Sequence, residues 1–167
     1  DRLRAFCRSV SPKALVIVDE AYNELTDDPE RDTMVDLVRE GENILVTRTF
    51  SKIFGMAGMR VGYGMARPDI IDNTFKYIMA WPNGVGLTAA YHSYIDRDFI
   101  KFSRDKVREG RAMVQKTLAD VGLTPVPSQT NFVFVDAGRD AMTIRRAMAE
   151  EGVLINACLL YTSPSPR

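Results

Sequence analysis

Apolar and polar positions along the chain fall into short blocks whose period switches between that of a strand and that of a helix. Residues 2–9 read as a helix, and residues 15–18 (Leu15, Val16, Ile17, Val18) as an apolar, largely β-branched run. That run ends abruptly at Asp19 and Glu20, as a buried parallel strand does when it delivers a carboxylate to its C-terminal edge. Met34, Leu37 and Val38 share one face of a helix predicted over 33–40, which Gly41-Glu42-Asn43 stops. Ile44-Leu45-Val46-Thr47 predicts the next strand, and residues 59–65 another, interrupted by glycines. Arg67-Pro68-Asp69 then opens a helix carrying Ile70, Ile71, Phe75 and Ile78.

Trp81-Pro82-Asn83-Gly84-Val85-Gly86 is a turn-rich break before a helix over 87–94. A long helix follows over 97–121, with Phe99, Phe102, Val107, Val114, Leu118 and Val121 on its apolar side. Its many basic residues read as a solvated face. Past Gly122 a shorter unit follows: a strand at 131–135, a helix over 141–150, and the start of a second strand at 153–155. Alternation of this kind predicts an α/β fold, a mostly parallel sheet with helices on its faces. The organisation expected is a larger domain over 1–97, a connecting helix over 98–121, a small α/β domain over 122–156, and a Ser/Pro-rich tail over 157–167.

Composition narrows the function classes. With 22 basic against 22 acidic side chains there is no net field to draw in nucleic acid or an anionic membrane surface. No apolar run approaches the roughly 20 residues of a membrane span, and no signal peptide is visible. Cys7 and Cys158 lie far apart without metal-binding spacing, and His92 is the single histidine, so a zinc site or a Ser-His-Asp triad has little to be built from. A cytoplasmic enzyme fits these features.

The candidate chemistry lies where the strands end. Ligands bind at the C-terminal edge of open α/β sheets, and Asp19 is expected there. Between Thr49 and Tyr63 one lysine, Lys52, stands among phosphate-binding residue types and glycines at 55, 58, 62 and 64 that let backbone approach closely. A phosphorylated aldehyde cofactor needs an amine to hold its aldehyde as a Schiff base, and hydroxyl and guanidinium donors around its phosphate. Lys52 supplies the first, and Thr49, Ser51 and Arg60 the second. A plain strand-turn-strand with a surface lysine, and an Asp19 that caps the next helix, are the simpler alternatives for each segment taken alone.

Taken together, Val18-Asp19-Glu20-Ala21-Tyr22 and, one helix and one strand later, Thr47-Arg48-Thr49-Phe50-Ser51-Lys52 with Gly55, Gly58, Arg60, Gly62 and Tyr63 resemble the class I/II aminotransferases of fold type I. Within that family the nearest pattern is that of the histidinol-phosphate aminotransferases. The resemblance implies a pyridoxal 5′-phosphate cofactor and transfer of an amino group between an amino acid or amino-alcohol phosphate and a keto acid. Lys52 would be the Schiff-base lysine and proton shuttle, Asp19 the partner of the pyridine nitrogen, and Tyr22 the partner of the ring's 3′ oxygen. Ser51 and Arg60, with Thr49, would hold the phosphate. Trp81 and Asn83 would lie in a loop near the dimer interface and the substrate, Asn131 near the substrate as well, and the enzyme would be a homodimer.

The same resemblance implies a fragment. Family members run to roughly twice this length, and the upstream segment that gives them a phosphate loop, a ring-stacking aromatic and an asparagine has no counterpart here. The arginine that grips the substrate carboxylate is also not matched, and Arg167, in the tail Tyr161-Thr162-Ser163-Pro164-Ser165-Pro166-Arg167, is a poor substitute. Two other readings stay open: a decarboxylase or β-lyase on the same cofactor, and a non-catalytic sensory module of a transcription regulator.

Overall fold

The computed structural model of the chain describes residues 2–157. These fall into two compact units, one built from residues 2–113 and 128–132, the other from residues 114–127 and 133–157. The helix pattern and strand pattern of the sequence materialise in the first unit as α1 (Arg2–Val10), β1 (Val16–Asp19), α2 (Val35–Arg39), β2 (Ile44–Thr49), β3 (Gly62–Met65), α3 (Pro68–Phe75) and α4 (Gly84–Ile95). Helix α5 (Arg97–Asp120) begins in the first unit and ends in the second.

β1, β2 and β3 form one sheet in that order. β1 and β2 are parallel, Val16 opposite Ile44 through Asp19 opposite Thr47. β3 returns antiparallel to β2, from Val46 opposite Met65 to Thr49 opposite Gly62. The sheet is thus mixed where a mostly parallel one was expected. The cause is the β2–β3 connection, a loop without the crossover helix that a parallel neighbour requires.

This register sorts the side chains by face. Val16, Val18, Ile44, Val46 and Met65 lie on one face and pack with Cys7, Met34 and Leu37 from α1 and the α2 region. Leu37, Ile44 and Val46 are fully buried, each burial contributing roughly 1.5–3 kcal/mol. Arg4 with Asp36, and Arg8 with Glu40 at 2.7 Å, tie α1 to α2 at the surface, where such pairs add little. The opposite face is less covered than a buried parallel strand implies: Ile17 is 63% exposed. α2 stops as expected at Gly41, whose φ of +86° lets its N–H and that of Glu42 bond back to Val38 O and Leu37 O, both at 3.1 Å.

A second apolar cluster joins Leu25, Phe50, Ile53, Phe54, Val61 and Ala90, with Ile100 and Val107 of α5 packed against it. The face α5 turns to this cluster is Ile100–Arg104–Val107–Arg111, whereas Phe99 and Phe102, expected on the apolar side, are exposed. Its basic residues divide: Arg97, Lys101, Lys106 and Lys116 are exposed, as a solvated face requires, whereas three arginines are tethers, Arg104 Nε donating to Glu24 O at 2.8 Å, Arg108 pairing with Asp27 at 2.9 Å, and Arg111 Nη1 donating to Thr130 O at 2.8 Å.

In the second unit, α6 (Ala141–Glu150) is capped by Asp140, whose carboxylate accepts from Thr143 N at 2.8 Å. The strands expected at 131–135 and 153–155 are not formed among the described residues, where Val135 makes only an isolated bridge to Pro125. A strand needs a neighbour along its length, and a single bridge supplies one pairing.

Candidate functional site

The face of the sheet opposite the core carries Asp19, Thr47 and Thr49, with Gly62 directly across from Thr49. There the strand ends line a cavity of about 300 Å³ whose walls include Asp19, Thr47, Thr49, Ser51, Arg60 and Gly62. Strand alternation puts Asp19, Thr47 and Thr49 side by side, because parallel neighbours in register present equivalent positions to the same face. Gly62 is required by close approach: a Cβ there would come 2.8 Å from the carbonyl oxygen of Arg48. Gly55 and Gly58, expected to serve close approach as well, have nothing within 4 Å of where a Cβ would stand.

The loop after β2 is held by its own hydrogen bonds. Thr49 Oγ1 accepts from Ser51 N at 3.1 Å and turns the chain off the strand. Gly55 N donates to Lys52 O and Met56 N to Phe50 O, each at 3.0 Å. Buried Phe50, Ile53 and Phe54 anchor the loop from beneath, so Lys52 projects from a fixed turn. Its Nζ lies 5.1 Å from the centroid of the Tyr22 ring, a cation–π contact, and Phe132 meets that ring edge-on at 5.5 Å. Asp19 accepts from Ala21 N at 3.0 Å. Arg60 holds a left-handed backbone, φ 55° and ψ 47°, and its Nη1 donates to Ala57 O at 2.8 Å. A non-glycine residue in that region carries strain, which persists where the surroundings impose it, often at functional sites.

Behind the cavity, on the core face, stands a polar network that the sequence reading did not anticipate. The Glu20 carboxylate, 5% exposed, accepts from Arg48 Nε at 3.0 Å and Nη2 at 2.8 Å, from Thr33 Oγ1 at 2.8 Å and from Met34 N at 2.6 Å. Thr33 Oγ1 accepts in turn from Arg48 Nη2 at 3.0 Å. Burial pushes the Tyr63 phenol above its usual pKa, with a hydrogen bond to Arg48 pulling the other way. Burial also raises the carboxyl of Glu24, whose Oε1 is 3.9 Å from Arg48 Nη1. The signal was present in the alternation: Glu20 continues the Val16, Val18 row and Arg48 the Ile44, Val46 row, so both charges fall on buried positions.

Asp19, Thr49, Ser51 and Arg60 therefore share one cavity, and Lys52 and Tyr22 stand together on the adjoining segments. Trp81 is 97% exposed. Asn83 is engaged as the N-cap of α4, its Oδ1 accepting from Val85 N at 3.1 Å and Gly86 N at 3.2 Å. Asn131 is exposed beside Phe132, and His92 is exposed on α4. Cys158 and Arg167 lie outside the described residues.

Chemically, two hydroxyls and a guanidinium suit a phosphate, a carboxylate suits a cationic ring N–H, and a primary amine suits an aldehyde.

Comparison with known proteins gives a consistent picture. The family model for aminotransferase class I and II matches residues 2–165. A histidinol-phosphate aminotransferase from Symbiobacterium thermophilum is 38% identical over 163 residues, 97% of this chain and 45% of that protein. One from Brevibacillus brevis is 35% identical over 156 residues, 93% of this chain and 43% of its own length. The crystal structure of histidinol-phosphate aminotransferase from Sinorhizobium meliloti in complex with pyridoxal-5′-phosphate superposes with a TM-score of 0.82 at 34% identity, covering 92% of this chain and 43% of that one. The chain thus spans somewhat under half the length of the relatives it matches.

Proposed function

The chain belongs to the class I and II aminotransferases, and from that premise we propose that it carries the pyridoxal-phosphate site of an enzyme moving an amino group from an amino acid or amino-alcohol phosphate, of the histidinol phosphate kind, to a keto acid. The observation that carries the reading is the single cavity shared by Asp19, Thr49, Ser51 and Arg60, with Lys52 on the next residue of the same turn. Relatives named as aminotransferases at 35–38% identity favour this reaction over decarboxylation or β-elimination.

The donor set fits the cofactor in charge and in kind. When bound, pyridoxal phosphate supplies an electron sink for the pair released as the substrate's Cα–H bond breaks. Lys52 would hold the cofactor through its amine, and its Nζ would be the base that accepts the substrate's Cα proton and returns it. The Asp19 carboxylate keeps the ring nitrogen protonated, which the electron sink requires. Tyr22 donates from its phenol to the ring's 3′ oxygen. Thr49, Ser51 and Arg60 bind the phosphate, Arg60 through charge-assisted bonds. Trp81, Asn83 and Asn131 are assigned to the substrate side. A homodimer in the cytoplasm completes the proposal, as the family resemblance implies.

The experiment is a titration of the protein at its natural length with pyridoxal phosphate, followed by addition of an amino donor and a 2-oxo acid. Visible absorption of the bound cofactor and formation of the new amino acid are expected. A protein that takes up the cofactor but releases carbon dioxide from the donor would contradict the reaction assigned.

A further inference from the structure

The Glu20–Arg48 pair takes no part in the chemistry just described, yet each member sits between two residues that line the cavity. Glu20 lies between the lining residues Asp19 and Ala21, and Arg48, itself part of the cavity wall, lies between Thr47 and Thr49. Glu20 N continues the β1–β2 ladder past Asp19, donating to Thr47 O at 2.9 Å. Four donors converge on the Glu20 carboxylate: Arg48 Nε, Arg48 Nη2, Met34 N and Thr33 Oγ1, whose one proton faces both carboxylate oxygens at 3.0 and 2.8 Å.

We propose that the buried Glu20–Arg48 ion pair is a positioning device, locking the C-terminal ends of β1 and β2 from the core face so that Asp19 and Thr49 keep a fixed separation on the cavity face. This rests on the cofactor assignment above.

Stability alone does not account for such a pair. Apolar residues of similar volume often replace a buried ion pair at little cost or with a gain, because the charges need not be desolvated. What an apolar pair lacks is direction. A slip of one residue in a strand turns every side chain to the other face, which here would drive Asp19 into the core and Glu20 out of its ring of donors. Two arginine nitrogens on the carboxylate, with the threonine hydroxyl and an amide, are met in one register only.

The test uses the protein at its natural length and three readouts: the melting temperature of the cofactor-free form, the dissociation constant for pyridoxal phosphate, and the pH dependence of the bound cofactor's absorption. Glu20→Met and Arg48→Met are each expected to lower the melting temperature, since each strands a buried charge. The double variant is expected to recover it while still binding the cofactor about tenfold more weakly or worse, with a displaced absorption profile, an effect on the order of that caused by removing the groups that orient metal ligands. A double variant with wild-type melting, affinity and absorption would overturn the inference. Should the double variant not fold, Arg48→Lys decides: it keeps the cation and loses the two-pronged bond. A folded Arg48→Lys protein with weakened affinity supports the positioning role, and one with wild-type affinity and absorption overturns it. A wild-type protein that takes up no pyridoxal phosphate would overturn the cofactor assignment and this inference together, whereas wild-type uptake with unaltered variants overturns this inference alone.

Discussion

The ammonium of Lys52 stands over the ring of Tyr22, 5.1 Å from its centroid, although thirty residues of sequence and the whole of β2 separate them. Tyr22 follows the end of β1 and Lys52 the end of β2, so the parallel pairing of the two strands brings them together. The amine expected to hold a cofactor and the phenol expected to bond its 3′ oxygen are therefore neighbours before any ligand arrives.

Tyr22→Phe keeps the ring face and removes the hydroxyl. It is expected to weaken pyridoxal phosphate binding by about 1 kcal/mol, roughly fivefold, as loss of one hydrogen bond does. Tyr22→Leu also removes the cation–π contact and is expected to lose on the order of 0.5–1 kcal/mol more. Equilibrium titration of the two variants checks the order; equal affinities for both and the wild type would remove Tyr22 from the site.

Asp19→Asn preserves size and loses charge. It is expected to slow removal of the Cα proton by about one to two decades, the equivalent of roughly 1.5–3 kcal/mol, while affecting cofactor affinity less. Single-turnover kinetics with a Cα-deuterated donor measures the step, and an unchanged rate would sink the role.

Gly62 and Gly58 make a contrasting pair. Gly62→Ala puts a Cβ 2.8 Å from the Arg48 carbonyl oxygen and must push β3 from β2. It is expected to cost about 1–3 kcal/mol of stability. Gly58→Ala meets nothing within 4 Å and is expected to stay within about 0.5 kcal/mol of wild type. Denaturant melts of both variants test the packing of the β2–β3 edge.

Glu24 links the network to pH. Burial raises its carboxyl above the ordinary value of 4.5, with Arg48 and Arg104 opposing and Glu20 adding to the rise. The folded state then holds the proton more tightly than the unfolded state, so this group favours folding most below the ordinary value, and stability falls as pH rises from there through the raised folded value. Glu24→Gln carries no charge at any pH. It is expected to melt with the wild type at the acid end of that window and above it at neutral pH. Thermal melts across the window decide, and parallel curves for the two proteins would show that Glu24 does not set the slope.

How far the sequence went is clearest in the strands. The run at 15–18 and the one at 44–47 were legible because apolar β-branched stretches bounded by acids or turn residues have few other uses, and the lysine loop was legible because its residue types match one chemistry. The antiparallel return of β3 was not, since the glycine-rich stretch before it hides where the chain turns. Nor was the role of α5: Phe99 and Phe102 have the greater hydrophobicity, but Arg104 and Arg111 win the inward face by bonding loop carbonyls that would otherwise be left unsatisfied. Glu20 and Arg48 do not stand out in the sequence because charged residues are rarely buried unless paired, and pairing across strands is a property of register that the linear order does not contain.

Lys52 is the residue on which the proposed cofactor site turns. In the protein at its natural length, loaded with pyridoxal phosphate and treated with borohydride, the cofactor should become fixed to a single lysine, and mass spectrometry of the digested protein should find the added pyridoxyl phosphate on the peptide containing Ser51-Lys52-Ile53. Lys52→Ala should abolish both the label and amino transfer. A label on another lysine, or full transfer activity in the Lys52→Ala protein, would contradict the assignment.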